Sequence, residues 1–130
     1  MKEPVWVLRD LVVAVQQMLL AEHGGLSGIR DEDLLDSALS RPKNLFAYTK
    51  PVSIFDLAAS YSYGLALNHP FVDGNKRIAL TIAAIFLDIN GYTLDASEPE
   101  TVITFEHLAA GQITEQQLSF WFEKSSIPNT

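Results

Sequence analysis

Apolar residues recur at helical spacing along nearly the whole chain. Val5, Leu8, Leu11, Val12, Val15, Leu19 and Leu20 form one stripe, predicting a helix over Val5–Glu22. Pro4 fits near its start, and Gly24-Gly25 ends it. Asp31 is placed to cap a second helix carrying Leu34, Leu35, Ala38 and Leu39, which Pro42 stops. Ser53 precedes a third helix, Ile54–Asn68, with Asp56 completing a capping-box pattern. Asn75 caps a fourth, Lys76–Asn90, with Gly91 as its stop. Ile78, Leu80, Ile82, Ala83, Ala84, Ile85, Phe86, Leu87 and Ile89 make that helix apolar on nearly all faces, so it is expected to be the central, most buried one. Ser97-Glu98-Pro99-Glu100 opens a fifth helix that Gly111 ends, and Thr114 with Gln117 opens a last one reaching about Lys124.

One segment breaks the pattern. Arg41–Val52 has prolines at both ends, holds Leu45, Phe46 and Tyr48, and reads as a loop or a short hairpin. The elements together predict an all-α fold of about six helices. A length of 130 residues fits one domain spanning the chain, 1–130. With 48% hydrophobic and 19% charged residues, the chain can bury a core without staples. The absence of cysteine excludes a disulfide scaffold, a thiol nucleophile and a thiolate zinc site. No leader segment is recognisable near Met1, and the longest apolar run, Ile78–Ile89, is too short to span a bilayer. A cytoplasmic protein with no membrane association is the expectation.

Charge narrows the choice of partners. Nine Lys/Arg against 16 Asp/Glu give a net charge of -7, so the overall basic footprint of a nucleic-acid binder is missing and direct DNA binding is not expected. The distribution is uneven. Arg41, Lys43 and Lys50 make Ser37–Phe55 locally basic, with no acid between them. Lys76-Arg77 is the only adjacent basic pair, whereas the stretch after Gly91 is acidic. Local cations in an acidic protein suit a small anionic ligand better than a polymer.

The chemistry concentrates in His69-Pro70-Phe71-Val72-Asp73-Gly74-Asn75-Lys76-Arg77, a helix end, a tight loop and a new helix start. A helix start presents unpaired N–H groups and partial positive charge, which favour an anion. Gly74 permits backbone conformations that other residues resist and lets a phosphate approach. Lys76 and Arg77 in the first turn oppose the helix dipole, a conflict that a bound polyanion would relieve. Asp73 offers a hard oxygen for Mg²⁺ shared with phosphate. Histidine titrates near neutrality, so His69 is suited to take a proton from a hydroxyl. Phe71 is expected to anchor the loop in the core. Together these are the parts for phosphoryl or nucleotidyl transfer.

HPFVDGNKR resembles the active-site motif of the Fic/Doc family, HxFx(D/E)(G/A)N(G/K)R. At average residue frequencies, a chance match of the six defining positions in such a chain is on the order of one in a million. EHGGLSGIRDEDLLDSALSRP before the motif and FLDINGYTL after it are similar to death-on-curing (Doc) toxins, so the resemblance covers roughly residues 1–95. It implies a compact helical bundle with the active-site loop before a buried central helix. It also implies His69 as general base, Asp73 as Mg²⁺ ligand, and Gly74, Asn75, Lys76 and Arg77 as the site for ATP phosphates. The Arg41, Lys43 and Lys50 segment would be a flap aligning the target peptide by strand-type pairing.

Two positions depart from the AMP-transferring form of the family, which reads GNGR with a second arginine three residues on. Here Lys76 replaces the glycine and Leu80 the arginine. The GNKR form resembles Doc proteins, which implies ATP-dependent phosphorylation of elongation factor Tu and a Phd-like antitoxin as partner. AMP transfer, or an inactive antitoxin-binding co-regulator, are the alternatives. His23 at a helix end reads as a capping residue, and His107 has no neighbour at metal-ligand spacing. Ser119-Phe120-Trp121-Phe122-Glu123 partly resembles the inhibitory motif of self-repressed Fic proteins, but Lys124 stands where Gly or Asn is expected and the run reads as a core-facing helix.

Overall fold

A computed structural model describes residues 1–130. Six helices follow one another: α1 (Arg9–His23), α2 (Glu32–Tyr48), α3 (Ile54–Asn68), α4 (Asn75–Ile89), α5 (Glu98–Ala109) and α6 (Glu115–Lys124). Strand β1 (Tyr92–Leu94) lies between α4 and α5, and β2 (Ser126–Pro128) follows α6. The two strands pair antiparallel, with Thr93 opposite Ile127. The all-α expectation therefore holds, with a two-stranded ribbon that periodicity did not reveal. No helix is long and apolar enough to cross a membrane.

The most enclosed helix is α3, not α4. It packs between α2, α4 and α6, and buries Leu57–Ser62 together with Gly64, Leu65 and Ala66. Its small residues are the reason. A Cβ added at Gly64 would lie 3.2 Å from the Ala38 Cα, so α2 and α3 touch nearly backbone to backbone. Ala58, Ala59, Ser60, Ser62 and Ala66 bury beside the larger Leu57, Tyr61 and Leu65, so the helix is enclosed on nearly every side. Ser62 resolves its own polarity by donating to the Ala79 carbonyl at 2.7 Å.

Helix α2 runs through Pro42, where the sequence predicts a stop. A proline in a helix interior removes one hydrogen bond and costs about 3 kcal/mol. Here Leu35, Ala38, Leu39 and Pro42 are all buried on one face, and Leu45 and Phe46 continue it against the core. That continuous i/i+3/i+4/i+7 stripe outweighs the break. The proposed flap is thus corrected: Arg41 and Lys43 lie in helix, and only Thr49–Ser53, with Lys50, stays non-helical.

Helix α1 starts at Arg9 rather than Val5, because residues before it find other partners. Val5 exchanges hydrogen bonds with the Asn90 side chain at 2.8 and 2.9 Å, and Val7 N–H donates to the Tyr61 hydroxyl. Trp6 stacks on Phe86 with centroids 6.1 Å apart. The capping boxes at Ser53/Asp56 and Thr114/Gln117 form completely. The one at Ser97 is half formed, since the Glu100 carboxylate instead accepts from Trp121 Nε1 at 2.9 Å.

Candidate active site

The chain between α3 and α4 is held from both sides. On the inside, Phe71 is 1% exposed. The Asn75 carboxamide meets its backbone twice: Oδ1 accepts from Phe71 N–H and Nδ2 donates to Phe71 C=O, both at 3.0 Å. Asn75 is therefore the first helical residue with a clamping side chain, and Gly74, at φ 80°, is the cap. The expected Asn75 cap shifts by one residue because its side chain is committed backwards to Phe71.

On the outside, the loop between α1 and α2 runs alongside. Ile29 and Phe71 form an antiparallel bridge, and Val72 N–H donates to the Gly28 carbonyl at 3.0 Å. The Pro70 carbonyl accepts from the N–H groups of Arg30 and Asp31. Arg30 also donates through Nε to the His69 carbonyl at 2.7 Å and through Nη2 to the Asn68 carbonyl at 2.9 Å. A guanidinium at a helix C-terminus satisfies carbonyls that lack helical partners and complements the dipole. It also stabilises His69 in the left-handed conformation, φ 51°, which non-glycine residues seldom adopt. The exposed imidazole thereby projects from a rigidly held backbone.

His69, Asp73, Gly74, Asn75, Lys76 and Arg77 all line one cleft of about 670 Å³. Its far wall is α5, through Thr101, Val102, Phe105, Glu106 and Ala109. The first helical bond of α4 is from Ile78 N–H to Gly74 C=O, so the N–H groups of Asn75, Lys76 and Arg77 have no acceptor within the helix. Asp73 is oriented by N–H groups: Oδ1 accepts from Gly74 at 2.8 Å and Oδ2 from Leu26 at 3.3 Å. Gly25 makes room for it, since a Cβ there would lie 2.9 Å from Asp73 Oδ2. No three His, Cys, Asp or Glu side chains cluster as a metal cage. A single exposed carboxylate beside a helix start with unpaired N–H groups has the donor chemistry to hold Mg²⁺ jointly with phosphate oxygens and water.

The two cations separate in role. Lys76 Nζ reaches Glu106 Oε1 on α5 at 2.6 Å, whereas the Arg77 guanidinium has no side-chain partner. The conflict between Lys76 and the helix dipole is thus relieved within the chain itself. Leu80 extends the cleft wall. The basic residues assigned to the flap lie outside this lining. Arg41 pairs with Glu115 at 2.6 Å and sits over the Tyr63 ring, and Lys43 and Lys50 are exposed. Strand-type pairing is closed to Arg41 and Lys43, whose peptide groups belong to α2. In the partial inhibitory motif Ser119 is buried and donates to Asp56 at 2.6 Å, Trp121 and Phe122 are buried beside it, Glu123 is exposed, and none of its residues lines the cleft.

Sequence reasoning missed Arg30 and the α5 wall. Arg30 lay within the similar upstream segment but had no motif spacing of its own. The wall left a signal: Val102, Phe105, Glu106 and Ala109 share one helix face at i, i+3, i+4 and i+7.

A helical bundle that presents a histidine, an acid and an unpaired helix start across one cleft defines a class, and comparison with known proteins names it. Residues 6–87 match the Fic/DOC family, and the chain belongs to that family. Over 103 residues it is 31% identical to "Protein kinase doc" of Escherichia phage P1, covering 79% of this chain and 81% of that protein. Over 74 residues it is 43% identical to "Toxin Doc" of Mycolicibacterium smegmatis, covering 56% of this chain and 57% of that protein.

Proposed function

We propose that this chain is the toxin of a toxin–antitoxin pair and acts as an ATP-dependent protein kinase. The observation that carries the reading is the placement of His69 and Asp73 on the cleft that receives the unpaired start of α4. Its similarity to a protein named as a kinase and to one named as a toxin supports the same direction. The phosphates of ATP would lie at Gly74, Asn75, Lys76 and Arg77, using backbone N–H groups and the free Arg77 guanidinium. His69 would take the proton of a target hydroxyl. The hydroxyl oxygen would then form a bond to the γ-phosphorus as the bond to the bridging oxygen breaks, releasing ADP. Asp73 would hold Mg²⁺ with the phosphates, and the ion would supply charge neutralisation there.

Elongation factor Tu is the proposed substrate and a small Phd-like antitoxin the proposed partner, both on the resemblance of the motif and its flanks to Doc proteins. The test is incubation of the purified chain with elongation factor Tu, Mg²⁺ and ATP carrying label at either phosphate end. Label arriving from the γ-position, and lost with His69→Ala, is the expected result. Transfer from the α-position alone would establish AMP transfer instead. Undiminished toxicity of His69→Ala on expression would point to a binding role without catalysis.

A further inference from the structure

The Lys76–Glu106 pair bridges the two walls of the cleft, from the first turn of α4 to α5. Both side chains are substantially exposed, 45% for Lys76 and 59% for Glu106. Exposed ion pairs are weak and open readily. Among the charged groups lining the cleft, Lys76 and Arg77 oppose Asp73 and Glu106, so the formal charge there sums to zero with neutral histidine. A polyphosphate entering it would meet one free cation, Arg77, and one carboxylate, Glu106, in competition for the other cation. The Glu106 carboxylate receives no hydrogen bond other than the one from Lys76, and its neighbours on the cleft face of α5 are Val102, Phe105 and Ala109. The fold of α5 does not need an acid there.

We propose that Glu106 is an electrostatic latch on the nucleotide site. It draws Lys76 across the mouth of the cleft, and phosphate binding has to displace its carboxylate from the ammonium. Glu106 would thereby set the affinity for ATP, acting through Lys76 as a positioning residue. The inference rests on the reading of the cleft as a phosphate site.

Calorimetric titration of the full chain with Mg-ATP, and separately with tripolyphosphate, tests it. Glu106→Gln should bind both ligands about three- to tenfold tighter, since the competing charge is removed. The gain should shrink as ionic strength rises. Reversing the pair, Lys76→Glu with Glu106→Lys, should return the affinity toward that of the wild type, whereas Lys76→Glu alone should abolish binding. Thermal midpoints measured alongside should stay within a degree or so, because both side chains are exposed. Equal or weaker binding by Glu106→Gln, with the wild type binding normally, would overturn the latch and leave the phosphate site standing. Failure of the wild-type chain to bind either ligand would overturn both.

Discussion

The Asn75 carboxamide forms two hydrogen bonds to the backbone of Phe71, four residues earlier. This one side chain closes the loop between α3 and α4 into a ring whose hydrophobic stud, Phe71, is sunk in the core. A loop closed in this way keeps Asp73 and Gly74 in place before any ligand arrives, which is the preorganisation that charge stabilisation at a reacting phosphate requires. Asn90 at the other end of α4 uses the same device on Val5. Asn75→Ala should therefore destabilise the chain by about 1–3 kcal/mol through the two partly buried groups it leaves unpaired. Urea titration reads that loss, and hydrogen exchange at the Phe71 amide should accelerate more than at amides of α1.

Arg30 is a positioning residue for His69. Its guanidinium hydrogen-bonds only to the carbonyls of Asn68 and His69, so Arg30→Met retains much of the stem while removing both bonds. On the proposed mechanism, the expected result is a drop in kcat of about tenfold or more with little change in KM for ATP, because a displaced base would slow proton transfer and leave phosphate binding intact. Steady-state kinetics on the protein substrate separates the two.

Gly25 stands at φ 120° with its missing Cβ against the Asp73 carboxylate. Gly25→Ala adds a strained backbone and pushes Asp73 off its place. Stability should fall by about 1–3 kcal/mol. The Mg²⁺ concentration for half-maximal activity should rise, a readout that backbone strain alone would leave unchanged.

Gly64→Val tests the close approach of α2 and α3. The added carbons meet Ala38 backbone, which cannot swing aside as a side chain would. Destabilisation of about 1–3 kcal/mol, and more if the helices cannot separate, is expected in thermal or urea unfolding.

Burial raises the Tyr61 phenol above its usual value, partly offset by the hydrogen bond from Val7 N–H. Above the unfolded value, near 10, the unfolded chain gives up this proton while the folded chain keeps it. Stability should therefore be full below about pH 10 and fall as pH rises toward the folded value. In Tyr61→Phe that part of the alkaline slope should vanish. At neutral pH the variant should be about 1 kcal/mol less stable, since Val7 N–H loses its acceptor. Urea midpoints compared at about pH 8 and about pH 11 check both statements.

Much of the local structure was legible in residues near one another in the chain. Ser53 with Asp56 and Thr114 with Gln117 became full capping boxes, and the breaks at Gly24, Gly91 and Gly111 fell where helices end. The motif was legible for the same reason: nine consecutive residues hold a helix end, a loop and a helix start, and seven of them line one cleft. The Pro42 stop failed because a buried face that continues through Leu45 and Phe46 overrode a local penalty. Helix α3 was under-ranked because its enclosure adds the close approach of α2 at Gly64 to the burial of Leu57, Tyr61 and Leu65, and no local pattern shows that approach.

The helical class, the family and the nine-residue motif proposed as the site were all readable along the chain, because helical periodicity, capping and a short contiguous motif are properties of neighbours in sequence. What surrounds that motif is set by packing between distant elements. Arg30 lies 39 positions from His69 in the chain and Glu106 lies 30 from Lys76, yet each makes its hydrogen bond directly. Contacts of that kind depend on how α2 and α5 pack around α3 and α4, and packing is set by the summed shape of many side chains, which no local pattern encodes.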